Sequence, residues 1–173
     1  EAVLQAGDSL VRTLVIGSSA SGKSEYAEAM AMKRPGKKYY IATLASNDPD
    51  SVERIARHRE MRKKKGFTTV ERCSDMSGLH LPGRGTALLE CLGNLVANEM
   101  FAERRVEGCA EWVADGIVNL ESQCDEIIVV TNDVFSDGAE YTYETMKYMK
   151  TLSEVNMFLA ERFERVVEVV CGI

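Results

Sequence analysis

Apolar residues along this chain fall into two kinds of segment. TLVIG (13–17), TALLECL (86–92) and EIIVVTND (126–133) are short, nearly continuous apolar runs. Such runs, bounded by Gly or polar residues, read as strands covered on both faces. KYYIAT (38–43), FTTVE (67–71) and RVVEVV (165–170) add shorter strand candidates. Between them lie stretches of good helix formers mixed with charges: 23–34, ending before Pro35-Gly36, then 94–105, 110–124 and 143–163. Residues 47–66 form a further helix candidate, with Asp48 as its cap, Pro49 in its first turn and Gly66 at its end. MSGLHLPGRG (76–85) is turn-rich. Strands alternating with helices predict an α/β fold: a mainly parallel β-sheet flanked by helices on both faces.

Composition narrows the functional classes. At 173 residues the chain is most simply one domain. With 45% hydrophobic and 28% charged residues it has the make-up of a folded globular protein. The missing initiator Met points to a processed or truncated start, so residues 1–12 are expected to be an extension or an artificial remnant outside a domain at 13–173. EAVLQAGDSLVR (1–12) lacks the basic flank and apolar core of a secretory signal, so none is expected, and no apolar run is long enough to span a bilayer. Five scattered cysteines without a C-x-x-C pair argue for reduced thiols in the cytoplasm, and against a disulfide framework or a zinc site. The net charge of -6 disfavours nucleic acid as a partner. Within this acidic chain RIARHREMRKKK (54–65) is a basic patch, suited to a small anionic ligand.

The strongest chemical signal follows the first strand. Gly17-Ser18-Ser19-Ala20-Ser21-Gly22-Lys23-Ser24 is a complete G-x-x-x-x-G-K-S pattern between a strand and a helix, which makes the predicted sheet P-loop NTPase-like. Gly17 lets the chain leave the strand, and Gly22 lets the backbone approach phosphate. Successive N–H groups and the new helix N-terminus supply donors and a favourable dipole for an anion. Lys23 would reach the β- and γ-phosphates, and Ser24 would offer its hydroxyl to Mg²⁺.

Other residues gain meaning beside this loop. Such a protein usually has a carboxylate at the end of a neighbouring strand to hold the metal through water; Glu90 fits that position, the alternative being a strand-end carboxylate emerging into solvent. Asn132 and Asp133 sit at another strand end, where an α/β sheet binds ligands or simply turns. His58 lies four residues from both Arg54 and Arg62, on nearly the same helix face. Nearby positive charge favours the neutral imidazole, whose lone pair can attack, and the same arginines could hold the phosphate attacked. A solvated basic helix face carrying an incidental histidine is the alternative. His80, in the turn-rich loop, carries no functional reading.

Taken in order, R-I-x-x-H (54–58), T-x-E (69–71), L-L-E-C (88–91) and V-x-N (130–132) after the P-loop are far more specific than the loop alone. From about residue 13 to the C-terminus the chain resembles the bifunctional adenosylcobinamide kinase / adenosylcobinamide-phosphate guanylyltransferases of cobalamin biosynthesis. The resemblance implies two reactions. The first phosphorylates adenosylcobinamide with ATP or GTP. The second joins GMP from GTP to that phosphate through a guanylylated histidine, which alignment of R-I-x-x-H assigns to His58. It further implies nucleotide contacts at Thr43, Arg62, Glu71 and Glu90, with Glu71 or another carboxylate available to a guanine edge. Mg²⁺ would be held by Ser24 and Glu90, and the protein would be a cytoplasmic homotrimer.

The chain also departs from that family's common pattern. Ser18 and Ala20 replace a Gly and an Arg in the loop, Phe67 replaces a Trp, and NDVFSDGAEY (132–141) replaces N-E-V-G-x-G-I-V-P. Alternative readings are another P-loop small-molecule kinase without the covalent step, or a degenerate nucleotide-binding module. A regulatory GTPase is disfavoured because N-K-x-D is absent.

Overall fold

The structure, a computed structural model, describes residues 10–44, 49–133 and 142–172, without the side chains of 49–52 and 54. The expected cap Asp48 and residues 134–141 of the divergent segment lie outside the described residues. The apolar runs form six strands: β1 (Val11–Gly17), β2 (Lys38–Ala42), β3 (Thr68–Glu71), β4 (Thr86–Leu89), β5 (Glu126–Asn132) and β6 (Arg165–Glu168). All pair in parallel, in the order β3-β2-β4-β5-β1-β6. The helices are α1 (Lys23–Met32), α2 (Pro49–Lys64), α3 (Leu92–Ala97), α4 (Cys109–Ser122) and α5 (Tyr143–Arg162).

Successive strand residues point to opposite faces, and both faces are covered. Leu14, Ile41, Leu89, Ile127 and Val129 pack with residues of α3, α4 and α5 on one face. Val15, Tyr40, Leu88, Ile128 and Val130 pack with Ala27 and Ala31 of α1 on the other. The central strands are therefore apolar at nearly every position, as their sequence pattern requires.

Three expectations are corrected. β1 begins at Val11, pairing Val11 with Glu126 and Arg12 with Ile127, so residues 11 and 12 belong to the sheet. Arg12 is also ion-paired to Glu121 and Glu164. The strand carrying Glu90 is not beside the P-loop strand, because β5 lies between β1 and β4. The helix read over 94–105 divides into α3, starting earlier at Leu92, and a π-helical turn at Asn98–Ala102. Such turns often mark functional sites, because they re-aim a side chain. With every strand parallel, the loops after β1, β2, β3 and β4 emerge on one edge of the sheet, where α/β folds bind ligands.

Candidate active site

Residues 18–22 turn the chain from β1 into α1. Ala20 (φ 56°) and Gly22 (φ 88°) both occupy the left-handed region, which a β-carbon makes costly at Ala20. No side chain caps α1, so its first N–H groups and the positive end of its dipole are available to an anion. Lys23 Nζ donates to the Ser18 carbonyl at 2.9 Å, lying back across the loop. Ser18, Ser19, Ala20 and Ser24 are exposed, whereas Ser21 is buried against Gly17. The Ser21 carbonyl accepts the Gly172 N–H at 2.7 Å, which ties the chain's C-terminal turn beneath the loop.

Glu90, directly after β4, is half-buried and held on two sides. Its Oε2 accepts the Thr43 N–H at 3.0 Å, and its Oε1 accepts the Tyr40 hydroxyl at 3.4 Å. Thr43 is fully buried, and its own hydroxyl donates to the Cys91 carbonyl at 3.0 Å. Thr43 thus lies inside the fold with its side chain turned to Cys91, and meets the site through its backbone. Asn98, at the start of the π-helical turn, donates from Nδ2 to the carbonyls of Thr43 and Cys73, both at 2.9 Å. One amide therefore clamps the chain where it leaves β2 to the chain where it leaves β3.

Between α2 and these strand ends is a pocket of about 660 Å³ lined by His58, Arg59, Arg62, Glu71, Cys73 and Glu90, among others. His58 is exposed on α2. Arg62, one turn further on, is buried and stacks over the Tyr40 ring with 4.1 Å between Cζ and the ring centroid. Glu71, at the end of β3, is exposed and ion-paired to Arg59. Four residues expected from sequence (His58, Arg62, Glu71 and Glu90) therefore share one cavity. Lys23 opens α1, whose Ala27 and Ala31 pack in one cluster with Leu88 of β4, two residues before Glu90. Asn132 and Asp133 end β5 on the same sheet edge, where the Asp133 N–H donates to the Gly17 carbonyl at 3.3 Å.

Electrostatics distinguish the possible nucleophiles. Burial raises the Cys73 thiol pKa, and the charges of Glu71 and Glu90 raise it further. Burial also raises Cys91. Both thiols are therefore protonated at neutral pH and weakly nucleophilic. His58 presents an exposed imidazole among the pocket-lining residues named above. Burial, aided by the Glu90 charge, raises the Tyr40 phenol far above its usual range, so it stays a hydrogen-bond donor.

Residues 13–173 match the family described as cobinamide kinase / cobinamide phosphate guanyltransferase. The chain belongs to that family. Its relatives include the bifunctional adenosylcobalamin biosynthesis protein CobP of Pseudomonas aeruginosa, 27% identical over 167 residues that cover 94% of this chain and 95% of the relative. The bifunctional adenosylcobalamin biosynthesis protein CobU of Escherichia coli is 29% identical over 175 residues, covering 92% and 96%. The protein of that name from Salmonella typhimurium has the same identity and coverage.

This family member also holds residues around the pocket whose place the sequence alone does not single out. Arg59 gives no local signal, because its partner Glu71 lies on another element. Asn98 looked like an ordinary helix residue until the π-helical turn aimed it at two strand ends. Tyr40 could have been noticed as a polar-tipped aromatic in a strand otherwise ready for burial. His80 is exposed in its turn. No group of three or more His, Cys, Asp or Glu among the described residues could hold a metal ion.

Proposed function

We propose that this chain phosphorylates adenosylcobinamide and then transfers GMP from GTP, through guanylylated His58, to adenosylcobinamide-phosphate. The observation that supports the reading is the pocket that His58, Arg62, Glu71 and Glu90 share, lined also by residues at the carboxyl ends of β2, β3 and β4.

In the kinase step the substrate hydroxyl oxygen attacks the γ-phosphorus of a nucleoside triphosphate and gives up its proton to solvent, as the bond from that phosphorus to the bridging oxygen breaks and the nucleoside diphosphate leaves. Lys23 and the N–H groups at the start of α1 neutralise charge on the phosphates. In the transfer step a His58 nitrogen attacks the α-phosphorus of GTP and forms a P–N bond as the P–O bond to pyrophosphate breaks. A phosphate oxygen of adenosylcobinamide-phosphate then attacks the same phosphorus. The P–N bond breaks, adenosylcobinamide-GDP is released, and His58 regains its lone pair. Arg62 meets the charge on the α-phosphate oxygens, and Glu71 accepts guanine N–H groups after exchanging its partner Arg59.

Mg²⁺ fits this donor set as a companion of the nucleotide. Ser24 offers an exposed hydroxyl at the helix start, and Glu90 keeps lone pairs beyond its two hydrogen bonds. The ion would supply charge neutralisation on the phosphates. Action in the cytoplasm is part of the same reading; no described helix is long and apolar enough to cross a membrane. Assembly as a homotrimer is part of the same reading. Incubation with adenosylcobinamide, GTP and Mg²⁺ followed by product mass tests it. A mass gain of one phosphate plus one GMP is expected; a gain of one phosphate alone would reduce the protein to a kinase.

A further inference from the structure

Arg62 is only 7% exposed, yet its Nη1 is buried with no hydrogen-bond or ion-pair partner among the described residues. A guanidinium donor withdrawn from water needs an acceptor. The guanidinium is held by the face of Tyr40, which is itself 5% exposed and wedged edge-on against Phe67 at 5.7 Å between ring centroids. The Phe67 N–H donates to the Arg62 carbonyl at 3.0 Å, fixing the end of α2 at the same point. Tyr40 also donates its hydroxyl to Glu90. Arg62 lines the pocket, whereas Tyr40 lies behind it.

We propose that Tyr40 is a positioning residue for phosphate recognition: its ring fixes the Arg62 guanidinium, which no described carboxylate pairs, in the pocket wall for an oxygen of the GTP α-phosphate. This rests on the guanylyl-transfer reading and deepens it. Ring-face attraction lets a cation stay in a dry wall without a protein carboxylate opposite it. A carboxylate there would have to be displaced by each incoming phosphate. Tyr40 leaves the arginine both ordered and unneutralised, the condition for electrostatic preorganisation.

The test compares GMP with guanosine, which differ by the phosphate alone and need neither the covalent step nor the β- and γ-phosphate contacts of the P-loop. Calorimetric titration of the full chain is expected to give GMP a roughly 10- to 100-fold tighter affinity than guanosine. In Tyr40→Leu and Tyr40→Met that ratio falls below about threefold while guanosine affinity holds; Tyr40→Phe restores it. A purely structural role would weaken both ligands together and leave the ratio intact, which would overturn the proposal. So would a ratio near one in the unaltered protein. Where the aliphatic variants fail to fold, Tyr40→Phe decides, because a collapsed ratio in it would refute the role of the ring. Label from α-labelled GTP on His58 with a ratio near one would sink this proposal alone. A large ratio without label would sink the covalent step alone.

Discussion

Gly17→Ala separates two explanations for the first glycine of the loop. Gly17 does not adopt a positive φ, so alanine there meets no backbone prohibition. The obstacle is space: an added β-carbon would lie 2.5 Å from Ser21 Oγ and 2.8 Å from the Val169 carbonyl oxygen. Ser21 could swing its hydroxyl away, but its Cβ would still be at 3.3 Å. Val169 has less freedom, since its own N–H donates to the Ile16 carbonyl at 2.8 Å. Overpacking of this kind costs about 1–3 kcal/mol. For a chain of this length each kcal/mol lowers the melting midpoint by about 2–4 °C. The strain falls where Ser21 accepts from Gly172, so the phosphate loop shifts and GTP binding weakens by about tenfold or more, roughly 1.4 kcal/mol. Thermal melting and titration with a fluorescent GTP analogue measure the two effects. A variant that melts within about 1 °C of the parent and binds GTP equally would refute the close-approach argument.

Glu121 bridges Arg12 of β1 and Arg162 of α5, and Glu121→Gln is expected to cost roughly 2 kcal/mol, below a fully buried pair because both arginines are partly exposed. Burial raises the Glu121 pKa, but the hydrogen bonds from Arg162 and Arg12 outweigh it and lower the value overall. Its contribution is therefore full above the unfolded carboxylate pKa of about 4.3 and lost as pH falls through the lower folded value. Melting scans should show a gap of about 4–8 °C at pH 7 that closes in acid; a gap independent of pH would contradict this. Asn98→Ala removes two donors from the β2 and β3 exits, and is expected to cost about 2 kcal/mol and to raise KM for GTP. Unchanged melting and KM would show that the clamp is idle. Glu90→Gln keeps hydrogen-bonding atoms but loses the charge, so both activities should demand more Mg²⁺, seen as a right-shifted magnesium titration. An unshifted curve would remove Glu90 from the metal's surroundings.

The loop was legible because eight contiguous residues specify it: their spacing fixes both the backbone path and the donors. The His58–Arg62 face was legible for a similar reason, since four-residue spacing on a helix is a local geometric fact. Glu90 stood out as a charge ending an apolar run. What sequence left open depends on long-range pairing. Nothing local places β5 between β1 and β4, or turns Arg62 from a solvated helix face onto Tyr40. The start of the sheet at Val11 was hidden because polar Arg12 interrupts the run and finds its partners Glu121 and Glu164 far along the chain. Thr43 directly follows β2, and its burial follows from the course of the chain through Cys91.

The account turns on a covalent bond to His58. His58 is exposed, so His58→Ala should fold and melt as the parent does. After incubation with Mg²⁺ and GTP labelled at the α-phosphate, the parent protein should retain label that is acid-labile and base-stable, and His58→Ala should retain none. No label on the parent, or equal label on the variant, would contradict guanylyl transfer through this histidine.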